Sequence, residues 1–144
     1  MPRGYPDYFG QSIFPKYGVF TKENGTTTIA ALSTDTVIKV TDKGRTYGAR
    51  LHIDESFDVS NCVFRLVIDG TIVYDTTPAV SLKHNITEEG QAPFYLRRYD
   101  SIDNSYTLCL SKDITFEQSL EITFQNVTAN SVDVEYYLYY AKVT

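Results

Sequence analysis

A chain of 144 residues, 42% apolar and 22% charged, can bury one core without metals or disulfides, and this composition excludes a disordered protein. The net charge of −5 arises in the second half: residues 1–72 carry eight basic and eight acidic side chains, residues 73–144 five and ten. No cationic run extends beyond Arg97–Arg98 and no apolar stretch approaches the ~20 residues that cross a bilayer, so neither nucleic acid nor membrane is expected as a partner.

Residues 1–18, MPRGYPDYFGQSIFPKYG, hold three tyrosines, two phenylalanines, three prolines and three glycines. Tyr5-Pro6 and Phe14-Pro15 force an extended, kinked path that suits neither helix nor regular strand. Tyr5, Tyr8, Phe9, Ile13, Phe14 and Tyr17 are the anchors of this arm. Each large apolar side chain gains roughly 1.5–3 kcal/mol on full burial. The arm is therefore expected to lie in a groove, of its own domain or of a partner.

Residues 19–144 read as a single domain of strands separated by turns. GVFTKENGTTTIAALS contains Asn24-Gly25, a hairpin dipeptide. TVIKVTD follows, then a turn at Lys43-Gly44, then TYGARLHIDES with Ala49, Leu51 and Ile53 facing in. NCVFRLVIDGTIVYDTT places Asp69-Gly70 between two apolar runs, the pattern of a two-residue turn with positive φ. Pro78 ends that hairpin. One short strand is expected near Phe94–Leu96 between polar loops. YTLCLS, SLEITFQNV and SVDVEYYLYYAKV complete the set, and no amphipathic helix is expected. Seven to nine short strands predict an all-β antiparallel sandwich of jelly-roll or Greek-key type behind an extended N-terminal arm.

Chemistry-bearing residues are sparse. Cys62 shares parity with Phe64 and Leu66 and faces in, whereas Cys109 shares parity with Thr107 and Ser111 and faces out. A bridge between them is not expected, and folding in a reducing compartment is. His52 and Asp54 share an outward face. Carboxylates gather in IDESFDVS (Asp54, Glu55, Asp58) and YDSIDNS (Asp100, Asp103), but without the spacing of a calcium loop, and turn chemistry accounts for them equally. Asn-x-Thr triplets at Asn24, Asn85 and Asn126 are read as chance. No catalytic motif is present, so the expectation is a protein with no catalytic residues, metal or cofactor.

The surfaces say more. In the last strand Val132, Val134, Tyr136, Leu138 and Tyr140 form the inner face. The opposite face begins with Asp133 and Glu135 and ends with Tyr137 and Tyr139, which are taken with the arm as partner-binding residues. A jelly-roll-type sandwich with an aromatic arm and a closing VDVEYYLYYAKV strand resembles bacteriophage capsid decoration proteins. RGYPDYFGQSIFPKYG looks like the N-termini of small phage-encoded virion proteins. The resemblance implies a non-enzymatic structural protein made in the host cytoplasm and carried in the virion. It would be a homo-oligomer, trimeric or otherwise symmetric, bound to other capsid or tail proteins. The alternative is a carbohydrate-binding module or receptor-binding head that stacks sugars on exposed tyrosines, and a weaker one is a hydrolase with scattered loop acids.

Overall fold

The computed structural model describes residues 17–143. These residues hold ten strands and one short helix, in the order β1 (Thr21–Ile29), β2 (Thr34–Thr41), β3 (Gly44–Asp54), β4 (Val63–Ile68), β5 (Thr71–Thr76), α1 (Pro78–Lys83), β6 (Phe94–Asp100), β7 (Ser105–Leu110), β8 (Thr115–Phe116), β9 (Ser119–Gln125) and β10 (Val132–Lys142). They form two antiparallel sheets packed face to face, an all-β sandwich. One sheet runs β1-β10-β3-β7-β6, with β8 also paired to β3, and the other runs β2-β9-β4-β5. The chain passes from sheet to sheet, so sequence neighbours such as β1 and β2 lie in different layers while β1 pairs with the last long strand.

Alternation builds the core. Leu51 and Ile53 of β3, Phe64 and Leu66 of β4, Leu108 and Leu110 of β7, Leu120, Ile122 and Phe124 of β9, and Val132, Val134 and Leu138 of β10 are all buried between the sheets. Phe124 meets Phe64 edge-on at a centroid distance of 4.9 Å, a preferred aromatic geometry. The expected inner faces of β3 and β10 are therefore the real ones.

Several local expectations are corrected. Asn24-Gly25 makes no hairpin: β1 runs straight through it, with Asn24 opposite Tyr137 and Gly25 opposite Tyr136. The glycine makes room instead, since a Cβ there would lie 3.1 Å from the Tyr136 hydroxyl. The turn assigned to Lys43-Gly44 sits one residue earlier, with Asp42 at φ 74° and Gly44 already in β3. Pro78 opens α1 rather than only ending β5. Thr77 caps that helix by accepting a hydrogen bond from the Val80 amide at 3.0 Å, and Pro at the first position sacrifices no intrahelical bond. The short strand near Phe94–Leu96 extends to Asp100. Asp69-Gly70, in contrast, adopts φ 51° and 83°, the paired positive angles of a type I′ turn.

Both cysteines are free and buried. Cys62 belongs to the core, while Cys109 lies on the outer face of its sheet, as its parity required.

Candidate functional site

The outer face of the larger sheet is built from registered rows. Asn24, Tyr137, Arg50, Cys109 and Tyr95 stand side by side across β1, β10, β3, β7 and β6. The next row is Thr26, Glu135, His52, Thr107 and Arg98. In the opposite direction Lys22 and Tyr139 meet Gly48, which contributes no side chain. The face thus grades from aromatic at one end to acidic at the other, where Asp133 receives a 2.6 Å hydrogen bond from the Thr28 hydroxyl.

A valley follows β7, because its outer residues Thr107 and Cys109 are small while His52 and Arg50 of β3 and Arg98 and Tyr95 of β6 stand on either side. A bulge deepens one end. Gly48 pairs with Tyr139 and Thr46 with Tyr140, leaving Tyr47 as the extra residue of β3. Gly48 takes φ 129°, a conformation other residues resist. Tyr47 is thereby turned outward. The result is a cavity of about 460 Å³ walled by Tyr47, Tyr95, Tyr137 and Tyr139 and floored by Gly48 and Cys109, with Arg50 and Glu89 at its edges. A second hollow of about 280 Å³, between His52, Thr107 and Glu135, shares Arg50 and Tyr137 with the first.

Burial pushes the Cys109 thiol up, against the opposing pull of Arg50, so the sulfur keeps its proton at neutral pH and is a poor nucleophile. Burial, with Cys109 and Glu89 nearby, likewise raises the Tyr95 phenol, leaving its hydroxyl able to donate. His52 Nδ1 shares a 2.8 Å hydrogen bond with the Thr107 hydroxyl.

Beside the groove lies an aromatic corner. Phe20 stacks on Tyr139 at 5.4 Å and tilts against Tyr47 at 5.0 Å. Arg45, paired to Asp113, lies over both Tyr47 and Tyr17, at 5.3 and 5.6 Å from the ring centroids. Phe20 is nonetheless 54% exposed. Tyr17 bridges to Val143, and the Gly18 amide donates to the Lys142 carbonyl at 2.6 Å. Of the sequence-derived partner residues, Tyr17 and Tyr139 therefore meet at this corner. Tyr137 stands in the groove under Lys22, whose ammonium is 5.7 Å from the ring centroid. Tyr5, Tyr8, Phe9, Ile13 and Phe14 lie outside the described residues. Sequence reading missed Phe20, Tyr47, Arg50, Glu89 and Tyr95. Only the small outer residues of YTLCLS pointed toward a valley.

Two of the loop carboxylates do turn chemistry: Asp100 accepts from the amides of Ile102 and Asp103 at 3.0 and 3.1 Å, and Asp58 from the Ser60 amide at 2.9 Å. Glu55 instead makes a long-range tie, accepting from the amide of Asp133 in β10 at 2.8 Å. Among the described residues no three His, Cys, Asp or Glu side chains are grouped to hold a metal ion. No known protein-family model matches this chain, and no curated protein matches it either.

Proposed function

We propose that this chain is a non-enzymatic structural protein of a virion, of the capsid-decoration type, that docks through its N-terminal arm and the aromatic corner at the arm's base. The observation that carries this reading is the corner itself. Tyr17 and Tyr47 lie under Arg45 and Phe20 packs on Tyr47 and Tyr139, yet the cluster keeps apolar area in water, with Phe20 and Tyr47 54% and 37% exposed. Clustered exposed apolar surface marks a contact site, and Tyr, Phe and Arg are enriched at interface cores.

The strand order adds support. With β6 and β8 set aside, β1-β10-β3-β7 faces β2-β9-β4-β5, the winding we assign to a jelly roll, a fold shared by viral capsid and lectin domains. The virion assignment itself rests on the likeness of the arm and architecture to small phage proteins. Many copies docking on a repeating lattice would let individually weak contacts add. Mass spectrometry of purified particles produced by the genome that encodes this chain tests the reading. A stoichiometric component is the expected result, and absence from the particles sinks it.

A further inference from the structure

We propose that the groove along β7 is a binding site for a neutral oligosaccharide, a function separate from docking at the aromatic corner. The groove mixes two kinds of surface. Its walls are tyrosine rings: Tyr137 is 43% exposed and Tyr95 is half-buried beside Cys109. Between the rings stand hydrogen-bonding groups of every kind, with Arg50 as donor, Glu89 and Glu135 as acceptors, and His52 and Thr107 as a linked pair.

An apolar protein surface pressed into this groove would strip water from Arg50, Glu89 and Glu135 without replacing their hydrogen bonds, which is costly. Charged residues are accordingly depleted at the core of protein interfaces. A saccharide fits both demands, because its pyranose rings offer apolar C–H faces to the tyrosines and hydroxyls at their edges to the polar groups. Glu89 and Glu135 stand against Arg50 in the lining, with Lys22 over Tyr137 and Arg98 beside Thr107, so the groove carries mixed charge rather than the cationic surface a polyanion needs. The two hollows share Arg50 and Tyr137, and the larger, at about 460 Å³, falls within the range of about 300–1,000 Å³ of small-ligand sites. The shared pair sits where one ligand could cross from hollow to hollow, which favours an extended oligosaccharide over a single sugar.

The geometry also divides the face. The corner and the larger hollow share Tyr47 and Tyr139, but Phe20 lies at the β1 side of that pair, while Tyr95, Cys109 and Thr107 belong to β6 and β7 on the far side of β3. A copy held by its arm and corner would leave the β6–β7 side of the groove open.

Isothermal titration of the full chain with uncharged hexasaccharides of glucose, mannose, galactose and N-acetylglucosamine, each at millimolar concentration, tests the inference. Saturable binding of at least one is expected. Tyr95→Ala and Tyr137→Ala should each weaken it by about tenfold or more, in keeping with the worth of a lost aromatic contact. Ile72→Ala, at an exposed position of the other sheet, should leave it unchanged. Thermal melts of all three variants check that each is folded. No saturation by any of the four sugars overturns the inference, as does binding indifferent to Tyr95 and Tyr137. A sialylated or sulfated glycan binding where the neutral ones fail overturns it as well. None of these outcomes touches the virion reading, which stands or falls on the content of the particles.

Discussion

Asn126 is 1% exposed and ties the β9–β10 loop to the end of β1. Its Nδ2 donates to the carbonyls of Ile29 and Ala30, each at 3.2 Å, and of Asn130 at 2.7 Å, while Oδ1 accepts from the amide and hydroxyl of Thr128 at 2.9 and 2.7 Å. Buried backbone groups left without partners cost about 1–3 kcal/mol each. Asn126→Ala is therefore expected to lose about 3 kcal/mol or more in urea unfolding, and a loss below 1 kcal/mol would mean that water replaces the amide freely. Asp69 is the second such residue. Its carboxylate receives the amides of Gln118 at 2.6 Å, Ser119 at 3.0 Å and Glu117 at 3.1 Å, tying the β4–β5 turn to the start of β9. These amides, Gln118 foremost, hold its pKa below the ordinary carboxylate value. A depressed folded pKa contributes stability that is whole above the unfolded value of about 3.9 and is lost as pH falls through the folded one. Asp69→Asn keeps an acceptor and tolerates φ 51°. The stability gap between the two proteins should therefore be constant from neutral pH to about 5 and shrink below about 4. Asp58 and Asp100, also depressed, are present in both proteins and cancel. A gap that persists undiminished into the acid range would assign the effect to shape rather than charge.

At the scale of strands, glycines separate two kinds of crowding. A Cβ on Gly44 would lie 2.8 Å from both the Ala141 carbonyl oxygen and the Phe116 ring, where β3 is held between β10 and β8. Backbone cannot step aside, so Gly44→Ala should cost about 1–3 kcal/mol. Gly25→Ala meets only the far end of Tyr136, 3.1 Å away, and should cost less than about 1 kcal/mol because that ring can turn. Equal losses in parallel denaturation curves would contradict this account. The same two positions show what could be read in the sequence. Alternation in β3, β9 and β10 declared their inner faces, because each has one face in the core and period two leaves no choice. Asn24-Gly25 misled because pairing with β10 along all of β1 outweighed a local turn preference. The bulge at Tyr47 was invisible since one inserted residue leaves the alternation on either side intact. Without it, Tyr47 and Gly48 could not be placed, and the groove could not be assembled from residues on four strands.

For the whole molecule, the question is whether the arm belongs to folding or to assembly. Among the described residues the buried cluster runs from Ile29 to Leu138 and draws on both sheets, so the strands supply a core of their own, and an arm that docks on a neighbour would leave that core to them without residues 1–16. Removing those residues should therefore leave the melting temperature within about 3 °C of the full chain, near the shift of about 2–4 °C that 1 kcal/mol produces in a domain of about 150 residues. Association should change instead. If Tyr5, Tyr8, Phe9, Ile13 and Phe14 supply contact area to neighbours, light scattering should find the full chain as a closed oligomer and the shortened one as a monomer. Phe20→Ser, altering only the corner, should weaken the same assembly partially, since Tyr139 and Tyr47 remain. A shortened chain that melts far lower would place the arm in its own domain's fold, and the corner would then be its seat rather than a neighbour's. A full chain that is monomeric, with a shortened chain equally stable, would leave homo-oligomerisation without support and direct the arm to a different protein of the particle.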